Sequence, residues 1–100
     1  MPETEAQLQQ AIIELARALG WLVYHTFDSR HSAEGFPDLV LVRQGELIFA
    51  ELKSAVGKVK PEQQLWLDVL DTVSGRADPQ VKVYIWRPAD WPEIERALAR

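Results

Sequence analysis

The chain has 100 residues, 47% hydrophobic and 26% charged, enough for one globular domain (1–100) with a modest core. No apolar run approaches the roughly 18 residues of a membrane span, MPETEAQLQQ is too acidic and polar for a secretory signal, and the lack of cysteine excludes disulfide scaffolds, thiolate zinc sites and cysteine catalysis. The net charge of −4 argues against a simple basic nucleic-acid binder, and a cytoplasmic location is expected.

Thr4 to Leu19 reads as a first helix. Thr4 and Gln7 have the form of a capping box and Gly20 is a natural stop. Leu8, Ile12, Leu15, Ala16 and Leu19 follow helical spacing and predict its buried stripe. Trp21 to Phe27 reads as a strand rich in aromatic and β-branched residues. His25 within it is a structural histidine by expectation. The polar segment DSRHSAEG is a loop in which Arg30 and His31 are placed to meet phosphate or solvent. Two isolated histidines do not make a metal site.

Two apolar runs follow, DLVLVR and ELIFAELK, with Gln44-Gly45 between them: a β-hairpin signature. A symmetric two- or four-residue loop puts Asp38 opposite Glu51, and Lys53 on the same face as Glu51. A three-residue loop would slip the pairing by one and separate the carboxylates. Opposed carboxylates on neighbouring strands have Cβ atoms roughly 4.5–5.5 Å apart and repel. Lys53 offsets part of that repulsion, and a divalent cation such as Mg²⁺ or Mn²⁺ would offset more, since hard oxygen donors suit these ions. The bland alternative is a solvated strand end with a surface ion pair. Against it stand Val40, Val42, Leu47 and Phe49 on the face of the charges and Leu39, Leu41, Ile48, Ala50 and Leu52 on the other, which predict a hairpin covered on both sides.

The segment KSAVGKVK carries three lysines and no acid, so Lys58 and Lys60 are candidates for phosphate contact. Arg43 is nearby in sequence and reaches either DNA or solvent. Pro61 and Glu62 suit the first turn of a helix whose apolar residues are Leu65, Trp66, Val69, Leu70 and Val73. Gln63, in that first turn, is within reach of the carboxylate cluster. SGRADPQ is a turn cluster, Val81 to Trp86 a last strand, and Asp90 a cap for a final helix containing Pro92, Ile94 and Leu98. The order is α-β-β-β-α-β-α. It predicts an α/β domain with a mixed four-stranded sheet and helices on both faces.

Gly35-Phe36-Pro37-Asp38, Glu51-Leu52-Lys53 and Pro61-Glu62-Gln63 stand in order, with Lys58 in a basic segment before the last of them. Together they resemble the VRR-NUC domains of the PD-(D/E)XK nuclease superfamily, whose motifs are G-x-P-D, E-x-K and a helix-borne glutamine. The resemblance runs from the first helix to Tyr84-Ile85-Trp86-Arg87-Pro88, and it implies a restriction-endonuclease-like core. It also implies metal-dependent hydrolysis of phosphodiester bonds. In that scheme Asp38, Glu51 and the Leu52 backbone carbonyl hold Mg²⁺ or Mn²⁺, Lys53 orients or activates water, and Gln63 supports the metal, the water or the lysine. A further acid from the first helix is common in the superfamily; Glu5 is the first candidate here and Glu14 the next, with Gln9 also on that helix. Arg30, Lys58 and Lys60 are the DNA-binding candidates.

The isolated small domain is similar to stand-alone phage-type members that look like Holliday-junction resolvases. That implies a homodimer acting on branched or four-way DNA in repair or recombination, in a bacterial or phage-infected host cell. Rival readings are a flap, nicking or restriction-type nuclease of the same superfamily, and a non-catalytic module that binds branched DNA.

Overall fold

A computed structural model describes residues 2–26, 33–74 and 80–100. Helix α1 (Glu5–Ala18) starts at the expected capping box: the Gln7 amide donates to the Thr4 hydroxyl at 3.1 Å, and the Thr4 amide donates to Gln7 Oε1 at 3.2 Å. It ends at Gly20, whose φ of 89° lies in the left-handed region open to glycine. Strand β1 (Leu22–His25) is shorter than the expected 21–27, and Phe27, Arg30 and His31 lie outside the described residues.

Strands β2 (Leu39–Arg43) and β3 (Glu46–Leu52) form the predicted hairpin. Arg43 pairs with Glu46 and Leu39 with Ala50, so the loop has two residues and the register is the one that aligns Asp38 with Glu51. Helix α2 (Pro61–Asp71) crosses over to β4 (Gln80–Trp86), which runs parallel to β3. A 3₁₀ turn (Pro88–Asp90) leads into α3 (Trp91–Ala99). The mixed sheet has the order β1-β2-β3-β4.

Helices α1 and α3 cover one face. Leu8, Ile12, Ala16, Ile94 and Leu98 pack with Leu39, Leu41, Ala50 and Leu52, and all nine are fully buried. Each of the leucines and isoleucines contributes roughly 1.5–3 kcal/mol relative to exposure. Trp21 closes the lower end: its indole N–H donates to the Leu98 carbonyl at 3.0 Å, and the Arg43 guanidinium lies 4.3 Å above its ring. Arg43 also donates to Leu19 O and Leu98 O, at 3.2 and 3.0 Å, and to Arg100 O, and it pairs with Glu46 at 2.8 Å. It is thus a structural clamp at the hairpin's turn end and does not point toward the acidic pair.

Helix α2 lies on the other face, beside β4, but covers only part of it. Leu22, Tyr24 and Val42 are 74%, 60% and 41% exposed, so the expectation of a hairpin covered on both sides fails over its β1–β2 side. The rotation of α2 also differs from the expected one. Leu67 is its buried residue, whereas Leu65 and Val69 face outward at 64% and 57% exposure, and Val73, expected in the helix, lies beyond its end at 48% exposure. Two apolar stripes overlap in this helix, and the contacts of its first turns with the hairpin decide between them.

Candidate active site

Asp38 is delivered by a tightly held segment. Pro37 is fully buried, the Thr26 hydroxyl donates to its carbonyl at 3.2 Å, and the Thr26 amide donates to the Asp38 carbonyl at 3.0 Å. Phe36 packs edge-on against both Phe49 of β3 and Trp66 of α2, at centroid distances of 6.2 and 5.1 Å. Gly35 has φ 88°, and a Cβ there would sit 2.3 Å from the Glu62 carbonyl oxygen. Only glycine lets this segment run against the first turn of α2. The Trp66 indole N–H adds a bond to the Glu34 carbonyl at 3.1 Å. One segment therefore positions both Asp38 and the helix that carries Gln63.

The second carboxylate comes from the last turn of the pleat before β3 leaves the sheet. Glu51 is 1% exposed, on the α2 side, with Lys53 beyond it and also buried. Asp38 reaches across the hairpin end, where its Oδ2 accepts from the Leu52 amide at 2.8 Å. Glu51 Oε2 accepts from Gln63 Nε2 at 2.8 Å and lies 3.4 Å from Lys53 Nζ. Gln63 is oriented from its other end, since its Oε1 accepts from the Lys60 amide at 2.9 Å. That bond is half of a capping box, and it fixes which end of the amide meets Glu51.

The Glu51 carboxyl is raised to about 7, by burial first and by the negative Asp38 second, with Lys53 opposing both. Its Oε1 is buried with no hydrogen-bond partner among the described residues. A buried carboxylate oxygen without a donor is costly, and here it stands in a pair of hard oxygen donors with an ammonium group on the far oxygen. That donor set fits Mg²⁺ or Mn²⁺, ions that accept one or two protein carboxylates and complete their shell with water or substrate phosphate. The predicted Asp38, Glu51, Lys53 and Gln63 are all brought together, with Leu52 between Glu51 and Lys53.

The first-helix acids are not brought in. Glu5 is exposed in the first turn of α1, and Glu14 is exposed with its Oε1 accepting from Gln10 Nε2 at 3.0 Å. Among the described residues no third acid or histidine forms a metal-holding group with the pair. Lys58 and Lys60 are exposed on the connection between β3 and α2. Arg30 lies outside the described residues. Sequence reasoning missed Thr26 and Arg87. The Arg87 Nη1 donates to the carbonyls of Ser54 and Gly57, both at 2.7 Å. A lone threonine at a strand end and an arginine before a proline carry no chemical signature of their own.

No curated protein and no solved structure matches this chain. The family described as VRR-NUC domain matches residues 1–83, which takes in α1, the hairpin with its acidic pair, α2 and the first half of β4. The chain therefore belongs to the VRR-NUC family, whose fold is restriction-endonuclease-like and whose place is in the PD-(D/E)XK nuclease superfamily.

Proposed function

We propose that this protein is a metal-dependent DNA endonuclease that cuts branched DNA, in the manner of a Holliday-junction resolvase, and acts as a homodimer. The observation that carries the chemistry is the buried Glu51 Oε1, without a partner among the described residues, beside Asp38 and with Lys53 on the other oxygen. Asp38, Glu51 and the Leu52 carbonyl would hold Mg²⁺ or Mn²⁺. When bound, such an ion supplies Lewis-acid polarisation of a phosphoryl oxygen and a lowered pKa for water.

Each side chain then has a task. Lys53 orients the attacking water and stabilises the negative charge that grows on the phosphoryl oxygens. Gln63 holds Glu51 through its amide N–H, which keeps Oε1 turned toward the cation position. Water adds to phosphorus, one ester P–O bond breaks, and the leaving oxygen takes up a proton. Lys58 and Lys60, with Arg30, would meet backbone phosphates and give strong salt dependence without reading bases.

Two features support the dimer. The open sheet face carries Leu22, Tyr24 and Val42, and α2 adds exposed Leu65 and Val69, with Val73 just past its end. An exposed apolar area of this kind marks an interaction surface. Two linked copies would let two sites cut two strands of a symmetric junction.

The test is cleavage of a labelled four-way junction beside a flap and a linear duplex, with Mg²⁺, Mn²⁺ or chelator. Paired cuts confined to the junction and abolished by chelator are expected, with Lys53→Ala slower by about 10²-fold or more. Cutting of all three substrates would remove the junction preference. Metal-independent binding without cutting would replace the enzyme with a binding module.

A further inference from the structure

Between β3 and α2 the chain makes a turn over residues 54–57. The Gly57 amide donates to the Ser54 hydroxyl at 2.9 Å. A Cβ on Gly57 would meet Ser54 Oγ at 3.0 Å and Lys53 Cδ at 3.6 Å, so the backbone of this turn lies along the stem of Lys53. The turn has few other anchors visible in its own sequence: Ala55 and Val56 are exposed, Val56 at 87%. What holds it is Arg87. One nitrogen of its guanidinium donates to the Ser54 and Gly57 carbonyls, at 2.7 Å each. Charge-assisted bonds of that length are stronger than neutral ones.

Arg87 is itself well fixed. It follows Trp86, the last residue of β4, whose carbonyl accepts from the Lys53 amide at 3.0 Å. Its own amide donates to Asp90 Oδ2 at 2.9 Å. Asp90 thus spends its carboxylate on the 3₁₀ turn, and the capping expected of it at α3 is not made by its side chain. Arg87 also lies outside the stretch that matches the family.

We propose that Arg87 is a positioning residue for Lys53: by pinning the Ser54 and Gly57 carbonyls it closes the 54–57 turn over the lysine stem and keeps the ammonium on Glu51. This rests on the nuclease reading for its catalytic consequence, but the clamp itself does not. Arg87 touches neither carboxylate in this arrangement. Its effect passes through the turn, and a displacement of Lys53 by about 1 Å is enough to cost on the order of 10²-fold in rate.

The test compares wild type with Arg87→Met, which keeps the stem and removes the donors, and Arg87→Lys, which keeps a charged donor on a flexible stem. Five quantities are read: melting temperature, DNA affinity in chelator, single-turnover cleavage at saturating DNA with Mn²⁺, hydrogen exchange of the Gly57 amide, and the Lys53 Cε resonance. For folded Arg87→Met, affinity should stay within about threefold while the rate falls about 10- to 100-fold. Gly57 exchange should accelerate at least about tenfold and the Lys53 resonance should move. Arg87→Lys should recover part of the rate.

A rate within twofold of wild type, or a loss carried wholly by DNA affinity, would overturn the proposal. So would a lysine variant no better than methionine. If Arg87→Met does not fold, Arg87→Gln takes the same measurements. If wild type cuts no DNA, the nuclease reading fails by itself; unchanged Gly57 exchange and an unmoved Lys53 resonance would then still refute the clamp.

Discussion

Glu51 holds the electrostatic tension of the site. Its carboxyl is raised from an ordinary 4.5 to about 7, by burial first and by Asp38 second. The folded state therefore binds a proton that the unfolded chain has released between these values. The stability that this carboxyl contributes in the absence of divalent metal is fully present below pH 4.5 and is lost as pH rises through about 7. Replacing Glu51 with Gln removes that charge while keeping the size and one acceptor. Glu51→Gln should raise the melting temperature at pH 8 in chelator, change it little at pH 4.5, and abolish cleavage. Thermal unfolding at the two pH values checks this, and an equal effect at both would refute the raised carboxyl. The same carboxyl must lose its proton before it can hold a cation. Mn²⁺ affinity, by calorimetry, should therefore drop about tenfold per pH unit below 7. An affinity flat from pH 5 to 7 would exclude Glu51 as a ligand.

At the scale of elements, the decisive contact is the backbone of Gly35 against the first turn of α2. Gly35→Ala places a methyl group 2.3 Å from the Glu62 carbonyl and demands a strained φ. It should destabilise the fold by about 2–3 kcal/mol. It should also slow cleavage more than the lost folded fraction explains, because Gln63 moves with Glu62. Denaturant titration alongside single-turnover rates measures both, and a fully active, equally stable variant would disprove the coupling. Some of these elements are legible in the sequence. Thr4 and Gln7 announce α1, and Gln44-Gly45 between two apolar runs announces the hairpin and the pairing of its charges. The face of α2 is not legible. Leu65, Val69 and Val73 recur at helical spacing as well as Trp66 and Leu70 do, and Leu67 looks no more apolar than Leu65. The choice is made by Gln63 on Glu51 and by Trp66 on Glu34, contacts between segments far apart in sequence. Thr26 and Arg87 escape notice for the same reason, since each acts on backbone carbonyls elsewhere in the chain.

For the whole molecule, the half-covered sheet is the feature with the widest reach. Helices α1 and α3 seal one face, while the other stays open over β1 and β2. A stable association buries roughly 800 Å² per partner, and the exposed Leu22 and Tyr24 are apolar residues that it would cover. Sedimentation velocity should give a dimer at micromolar concentration, and Tyr24→Glu with Leu22→Glu should give a folded monomer that nicks junctions without paired cuts. A wild-type monomer that still makes paired cuts would remove the dimer from the proposal. The layout of the site along the chain has one more consequence. Asp38, Glu51 and Lys53 belong to a single hairpin, so the reactive carboxylates meet through local contacts that form on the microsecond scale in isolated hairpins. Gln63 and Arg87 arrive only with the helical crossover and the parallel strand, whose long-range pairing is slower. On the nuclease reading, a chain folding in this order would bring Asp38 and Glu51 together before Gln63 and Arg87 arrive, and cutting would await the finished fold.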